Sequence, residues 1–180
     1  MKFAAFFRNL NLGHGSAPSR VVLEDLFLQA GAEAAASFQT NGTVAFDARG
    51  GTRRARSILR GVQTALQLQH GFVEPAFLRD MAHLAALVAN DPFRGIACDA
   101  IYDFYVTFLH ADAVVQPGLP LTNARGDVHV VAYAQAEMMS FNHVRGKSMG
   151  NPQVFAETLF GLPATTRTWG TVCRLVDKHG

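Results

Sequence analysis

Residues 3–16 of the sequence read FAAFFRNLNLGHGS, and this stretch decides how the fold begins. Its first five residues, Phe3 to Phe7, form a short apolar and aromatic run that is typical of a buried β-strand. The polar, glycine-bearing residues 8–16 predict a loop. Ser19 is a suitable N-cap for a helix that ends at Gly31. The sequence therefore predicts a strand, a polar loop and a helix in that order.

Outward from this start, strand and helix patterns alternate. Residues 38–46 carry strand formers around an Asn-Gly turn or bulge signal. Thr52 begins the clearest helix of the chain, because its apolar residues recur at helical spacing on one stripe. Residues 73–78 predict an edge strand, and Asp80 is placed to cap a third helix. The first half therefore predicts the order β-α-β-α-β-α.

The second half has a different pattern. Residues 101–109 predict a strong strand, and residues 127–144 predict an antiparallel hairpin because apolar and polar residues alternate. Two further helices are predicted, one after Asn151-Pro152 and one capped by Thr168. Crossover units followed by a hairpin favour an α+β fold, in which helices cover one face of mixed sheets.

The length of 180 residues suits one domain, 1–180. The alternative is a pair of subdomains, 1–92 and 100–180, that share a core, since residues 92–100 are the only suitable seam. No run of apolar residues approaches the ~18 needed to cross a bilayer, so no membrane partner is expected.

Charge and cysteine content narrow the class of protein. The formal net charge of +2 is too small to imply nucleic acid or an anionic membrane by itself. Cys98 and Cys173 stand far apart and form no C-x-x-C motif, which favours free thiols in a reducing, cytoplasmic setting. The seven histidines lack metal-ligand spacing, and we predict neither a metal site nor a cofactor.

Polar side chains near strand ends are the first candidate binding residues. They share a position beside the turns of the first half, and they are Arg8, Asn9, Asn11, Gln39 and Asn41. A charge at the end of an apolar strand must be paired or solvated. These side chains could therefore form a concave polar site or, equally, a structural network that ties the turns together. The glycines of Gly13-His14-Gly15 could free backbone amides for a phosphate, although tight-turn geometry also explains them.

Three cations of the second half, Arg145, Lys147 and Arg167, would add charge-assisted donors. Thr168 and Trp169 begin a helix whose N-terminus favours anions. The leading hypothesis is therefore a cytoplasmic binding module for an anionic small molecule or nucleic acid, with both groups of residues beside one hollow.

Two other classes of function stay open. Residues 146–150 match G-x-S-x-G, so Ser148 or a histidine could serve a hydrolase or transferase. The only histidine that follows it is His179, with Asp177 two residues before it, and a glycine-rich turn explains the motif more simply. The third class is a structural or interaction protein that works as a homodimer.

Five arginines fall within twelve residues and no acid lies among them: Arg49, Arg53, Arg54, Arg56 and Arg60. The simpler interpretation is the solvated face of an amphipathic helix. The alternative is a stripe that tracks the phosphates of nucleic acid.

Three stretches resemble the domain of unknown function 1697 family. Residues 6–14, FFRNLNLGH, are similar to its opening signature of two apolar residues and R-G-I-N-V-G-G. Residues 37–46, SFQTNGTVAF, resemble its strand Y-I-Q-S-G-N-V-V-F, and residues 161–172, GLPATTRTWGTV, resemble its ending G-V-P-A-T-T-R-N-W-N-T-V. The resemblance implies a cytosolic α+β protein with plait-like (ferredoxin-like) subdomains, and it implies no established activity.

Overall fold

The structure, a computed structural model, describes residues 1–97, 100–113, 117–145 and 148–180. The chain forms two compact units: the first comprises Met1–Ala85 with Leu175–Gly180, and the second comprises Ala86–Arg174. That the two halves share one core stays a prediction. The elements in chain order are β1 (Lys2–Phe7), α1 (Arg20–Gln29), β2 (Ala34–Phe38), β3 (Thr43–Asp47), α2 (Gly51–His70), β4 (Ala76–Asp80), α3 (Met81–Asn90), β5 (Ile101–Leu109), β6 (Leu121–Thr122), β7 (Val128–Ala134), β8 (Glu137–Arg145), β9 (Ser148–Met149), α4 (Pro152–Phe160), β10 (Ala164–Thr168) and α5 (Trp169–His179).

The first unit contains a four-stranded sheet in the order β2-β3-β1-β4. As the apolar run predicts, Phe3 to Phe7 form a strand, and all five residues are fully buried. This strand lies inside the sheet and pairs antiparallel with β3 on one edge and β4 on the other. The order β-α-β-β-α-β is that of a split βαβ unit, so the first unit is compatible with a plait-like subdomain.

Helices α1 and α2 cover one face of this sheet. Phe3, Ala5 and Phe7 point to the same side because side chains alternate along a strand. They belong to one apolar core with the buried stripes of α1 and α2. The stripe of α2 consists of Ala55, Ile58, Leu59, Val62 and Leu66. The predicted helix is confirmed, and its apolar stripe is what attaches it to the sheet.

Residues 38–46, predicted as one strand around a turn or bulge, form parts of two strands. The chain reverses between β2 and β3, which pair antiparallel from Ala34↔Asp47 to Phe38↔Thr43. Two turn residues adopt the left-handed conformation, Gln39 with φ +61° and Gly42 with φ +67°. Glycine adopts this conformation without the steric cost that a side chain adds.

The second unit contains a larger sheet in the order β10-β5-β8-β7-β6, and β9 adds to β8. The predicted hairpin is confirmed as β7 and β8, which are joined at Gln135 and Ala136. Helix α4 packs on this sheet through the buried side chain of Ala156, which shares a core with Met138 and Val130.

The strand β10 is absent from the sequence-based prediction. Its residues, Ala-Thr-Thr-Arg-Thr, are mostly polar but pair with β5 over their whole length.

The α+β class is confirmed, but the sheets differ in one respect from the predicted mixed sheets. Every strand pair in the described part of the chain is antiparallel. In the first unit each helical crossover skips one strand position, and an oppositely directed strand fills the gap. Parallel strands are therefore never neighbours there, although each crossover joins a parallel pair.

The end of α5 belongs to the first unit, where the ring of His179 meets the ring of Phe38 edge-on at 6.2 Å between centroids. The Nε2 atom of His179 is buried and has no hydrogen-bond partner among the described residues. Burial lowers the pKa of His179, and the charges of Lys178 and Lys2 lower it further against the smaller opposite effect of Asp47.

We expect Gly42→Ala to destabilise the protein by about 2–4 kcal/mol, because left-handed strain and overpacking add. A Cβ at Gly42 would lie 2.8 Å from Leu10 Cβ and 3.0 Å from the Leu10 carbonyl oxygen. Denaturant unfolding measures this loss. Gly95→Ala is the matched control, because Gly95 also has a positive φ of +81° but faces open space. Equal losses in the two variants would contradict the packing argument.

We expect His179 to make the protein less stable as the pH falls. The folded pKa lies below the unfolded value of about 6.5, so the unfolded state binds more protons below that pH. The stability is therefore complete above the unfolded pKa and is lost as the pH falls toward the folded pKa. His179→Gln should show a flatter decline of the free energy of unfolding in acid. A decline as steep as in the wild-type protein would contradict this role.

Candidate functional site

A cleft of about 400 Å³ opens in the first unit between the loop after β1 and the C-terminal end of α2. We call it the loop cleft. It collects polar side chains from two segments that lie more than fifty residues apart in the sequence. Its lining residues are Asn9, Leu10, Asn11, His14, Gly15, Ser16, Ala17, His70, Gly71 and Phe72.

The loop is held by backbone hydrogen bonds to the neighbouring turn and strand end. The Leu12 amide donates to the Thr40 carbonyl at 2.8 Å, and the Arg8 amide donates to the Pro75 carbonyl at 3.0 Å. Leu10 is 1% exposed and Leu12 is also buried, so both act as apolar anchors. Leu10 and Leu12 point inward, whereas Asn9 before them and Asn11 between them are exposed, and both asparagines line the cleft.

An imidazole at the end of α2 has a defined orientation. His70 Nδ1 lies 3.2 Å from the backbone oxygen of Ser16. A carbonyl oxygen only accepts hydrogen bonds, so Nδ1 must donate, which leaves Nε2 as an acceptor in the neutral ring and a second donor in the protonated ring. His70 can therefore offer either role to a ligand. The helix ends there because Gly71 is left-handed, and its amide donates to the Gln67 carbonyl at 3.0 Å.

The predicted residues of the first half divide into two groups. Asn9 and Asn11 line the loop cleft, whereas Arg8, Gln39 and Asn41 are not among its lining residues. The guanidinium of Arg8 forms an ion pair with Glu74, which supplies the counter-charge that a partly buried cation needs.

Gln39 and Asn41 bond within their own turn. The amide of Asn41 donates to Gln39 Oε1 at 3.1 Å, and the hydroxyl of Thr43 donates to Asn41 Oδ1 at 2.8 Å. These contacts fit the alternative interpretation, in which the polar residues tie the turns together.

Of the three predicted cations of the second half, only Arg167 is described with its side chain. Arg167 lies on β10, is 7% exposed, and donates to Thr165 Oγ1 at 2.9 Å and to the Thr166 carbonyl at 2.8 Å. Burial lowers the pKa of Arg167 to about 10. The side chain of Arg145 and the whole of Lys147 lie outside the described residues. Thr168 caps α5 as predicted, since its hydroxyl accepts from the Thr171 amide at 3.3 Å.

The structure does not describe the centre of the G-x-S-x-G motif. Residues 146 and 147 and the side chain of Ser148 lie outside the described residues. Across the described residues, no group of three or more His, Cys, Asp or Glu side chains is arranged to hold a metal ion. Among the described helices, none combines the length and apolar composition required to span a membrane.

Sequence reasoning missed one of the two segments that line the loop cleft, residues 70–72. His70, Gly71 and Phe72 follow the end of a helix and carry no local signal that connects them to residues 9–17. Only the helix prediction itself could have suggested where they lie, because the stripe of α2 fixes which side of the sheet its C-terminus reaches.

Comparisons with known proteins identify a family and a fold for this chain but no activity. A family model described as "Protein of unknown function (DUF1697)" matches residues 1–138, so the resemblance seen in the first two stretches is confirmed. The third stretch, 161–172, lies beyond the matched residues. A search of curated proteins finds no match to the chain.

A solved structure, the conserved bacterial protein SP0830 from Streptococcus pneumoniae, shares the fold with a TM-score of 0.68. The alignment covers 99% of this chain and 98% of that chain at 14% identity. The likeness to it extends to the fold alone. Since the family model spans most of the sequence, the chain belongs to the DUF1697 family of proteins of unknown function.

Proposed function

We propose that the chain is a cytoplasmic binding module that takes a small, anionic, nucleotide-like ligand in the loop cleft. The observation that carries the proposal is the collection of uncharged donor and acceptor side chains around about 400 Å³ of open volume. Clefts that bind small molecules are typically about 300–1,000 Å³ and place a few polar groups among apolar walls.

The lining chemistry favours an anionic group over a cation. No aspartate or glutamate is among the residues that line the cleft, while two imidazoles and two side-chain amides are. Imidazole and amide N–H groups donate hydrogen bonds, and a bond to a charged acceptor is stronger than a neutral one. Asn9, Asn11 and His14 are therefore the residues that we assign to the anion. His70, whose Nδ1 donates to Ser16, can add a donor at Nε2 only when its ring carries both protons.

The apolar wall favours a ligand that also carries a flat ring. Phe72 and Leu10 lie among the lining residues, and Phe72 is only partly buried. An aromatic ring prefers offset-stacked or edge-to-face contact with another ring. A phosphate or carboxylate joined to a planar ring would thus contact the polar side chains with its anionic group and Phe72 with its ring.

The remaining predicted residues have no assigned part in this cleft. That Arg145, Lys147 and Arg167 lie beside one hollow with the candidate residues of the first half stays a prediction. An enzyme centre at Ser148 and a homodimer also stay predictions. Light scattering at micromolar concentration tests the homodimer, and a monomer there would contradict it.

We expect calorimetric titration at low salt to detect binding of AMP. His14→Ala should weaken that binding about tenfold or more, because a hydrogen bond to a charged group contributes about 1.5–3 kcal/mol. Inorganic phosphate should bind more weakly than AMP, because it lacks the ring.

His110→Ala is the matched control, because it removes an imidazole from the second unit, outside the cleft. Equal affinities of the two variants for AMP would contradict the assigned site. Adenosine bound as tightly as AMP would contradict the anionic requirement, and no binding of AMP, phosphate or adenosine would contradict the proposal as a whole.

A further inference from the structure

The outer face of α2 carries three arginines whose charge the described structure does not use. Arg53, Arg56 and Arg60 are exposed, and none of their side chains has an ion pair or hydrogen bond within the described part of the chain. At 3.6 residues per turn they fall within an arc of about 60° and span about 10 Å of helix axis. We call these three residues the arginine stripe.

The stripe is distinguished by three unpartnered arginines on one helix face. The exposed Arg94 and Arg174 also have no side-chain partner among the described residues, but each stands singly in the sequence, and several other arginines have acceptors. Arg49 lies 2.8 Å from Glu33, and Arg125 lies 2.8 Å from Asp127. Arg54, beside the stripe on the same helix, donates to the Ala30 carbonyl at 3.4 Å. The described residues therefore supply acceptors to Arg49 and Arg54, close to the stripe in sequence, and none to the three side chains of the stripe.

The position of the stripe is also unfavourable for the helix that carries it. The N-terminal end of a helix has a positive partial charge, which favours acidic side chains in the first turn. The first turn of α2 contains no acid but does contain Arg53 and Arg54, and the whole helix, Gly51–His70, has no aspartate or glutamate. Since α2 holds no acid, any counter-charge for the stripe has to come from outside the helix.

We propose that the arginine stripe is a docking surface for the phosphate backbone of double-stranded nucleic acid. Along about 10 Å of duplex axis one strand presents about three phosphates, which matches three guanidinium groups in number and length. Guanidinium groups bind phosphate through paired N–H donors. No aromatic residue interrupts the stripe, so the stacking platform typical of single-strand binding is missing from this face. Recognition would be independent of base sequence, because phosphate contacts carry no sequence information.

This surface differs from the loop cleft, which lies at the opposite end of α2. The stripe requires a rigid polyanion rather than a small ligand. Its test therefore does not depend on the outcome at the cleft.

The test measures binding of a short DNA duplex to the full chain by fluorescence anisotropy between about 50 and 200 mM salt. Neutralising three phosphates predicts a slope of log affinity against log salt near −2.7, which is about −0.9 for each phosphate. The variant Arg53→Gln/Arg56→Gln/Arg60→Gln should lose at least about tenfold in affinity at the lower salt and most of that slope. Its unfolding temperature should match or exceed that of the wild-type protein, since the stripe works against the helix.

The control variant Arg94→Gln/Arg174→Gln/Lys178→Gln removes the same net charge from exposed positions elsewhere. It should keep the wild-type slope, and so should the charge-conserving variant Arg53→Lys/Arg56→Lys/Arg60→Lys. An equal loss in the glutamine variants of stripe and control would overturn the proposal, because overall charge would then explain binding. Absence of duplex binding at the lower salt would also overturn it, as would binding to phosphatidylserine vesicles in preference to the duplex.

Discussion

Burial of β1 on both faces and pairing on both of its edges is the constraint on which the first unit depends. Phe3 to Phe7 have no exposed surface, and β3 and β4 take the hydrogen bonds of the two edges. Such a strand has no freedom to slip, because a shift by one residue would exchange its two faces. The polar loop that follows therefore leaves the sheet at a fixed point, which is why Asn9 and Asn11 reach the cleft beside α2.

Arginine side chains occupy three different physical environments in this chain. Arg167 is buried on β10, where hydroxyl and carbonyl oxygens replace the water that its guanidinium has lost. Arg8 is partly buried, and Glu74 balances its charge. The three side chains of the arginine stripe on α2 stay in solvent, where water and salt screen an unpaired charge. Composition alone reveals none of these differences, because each follows from what surrounds the guanidinium.

Features of this molecule that nearby residues determine could be predicted from the sequence, whereas features that depend on residues far apart in the chain could not. The strand at Phe3 to Phe7, helix α2 and the β7–β8 hairpin are determined by patterns within about twenty residues or fewer, and all three are confirmed. Asn9 and Asn11 were predictable site candidates because they follow that strand directly. His70 was not, because it joins them only through the packing of α2. The strand β10 was missed because its polar residues gain their strand conformation from pairing with β5.

The first unit is discontinuous along the chain, since it takes residues 1–85 and then residues 175–180. Its contact between Phe38 and His179 therefore joins segments made early and late during synthesis on the ribosome. A nascent chain that has emerged only as far as β4 holds the strands and helices of the cleft but lacks residues 175–180. The unit consequently reaches the form described here only after residues 86–174 have been translated.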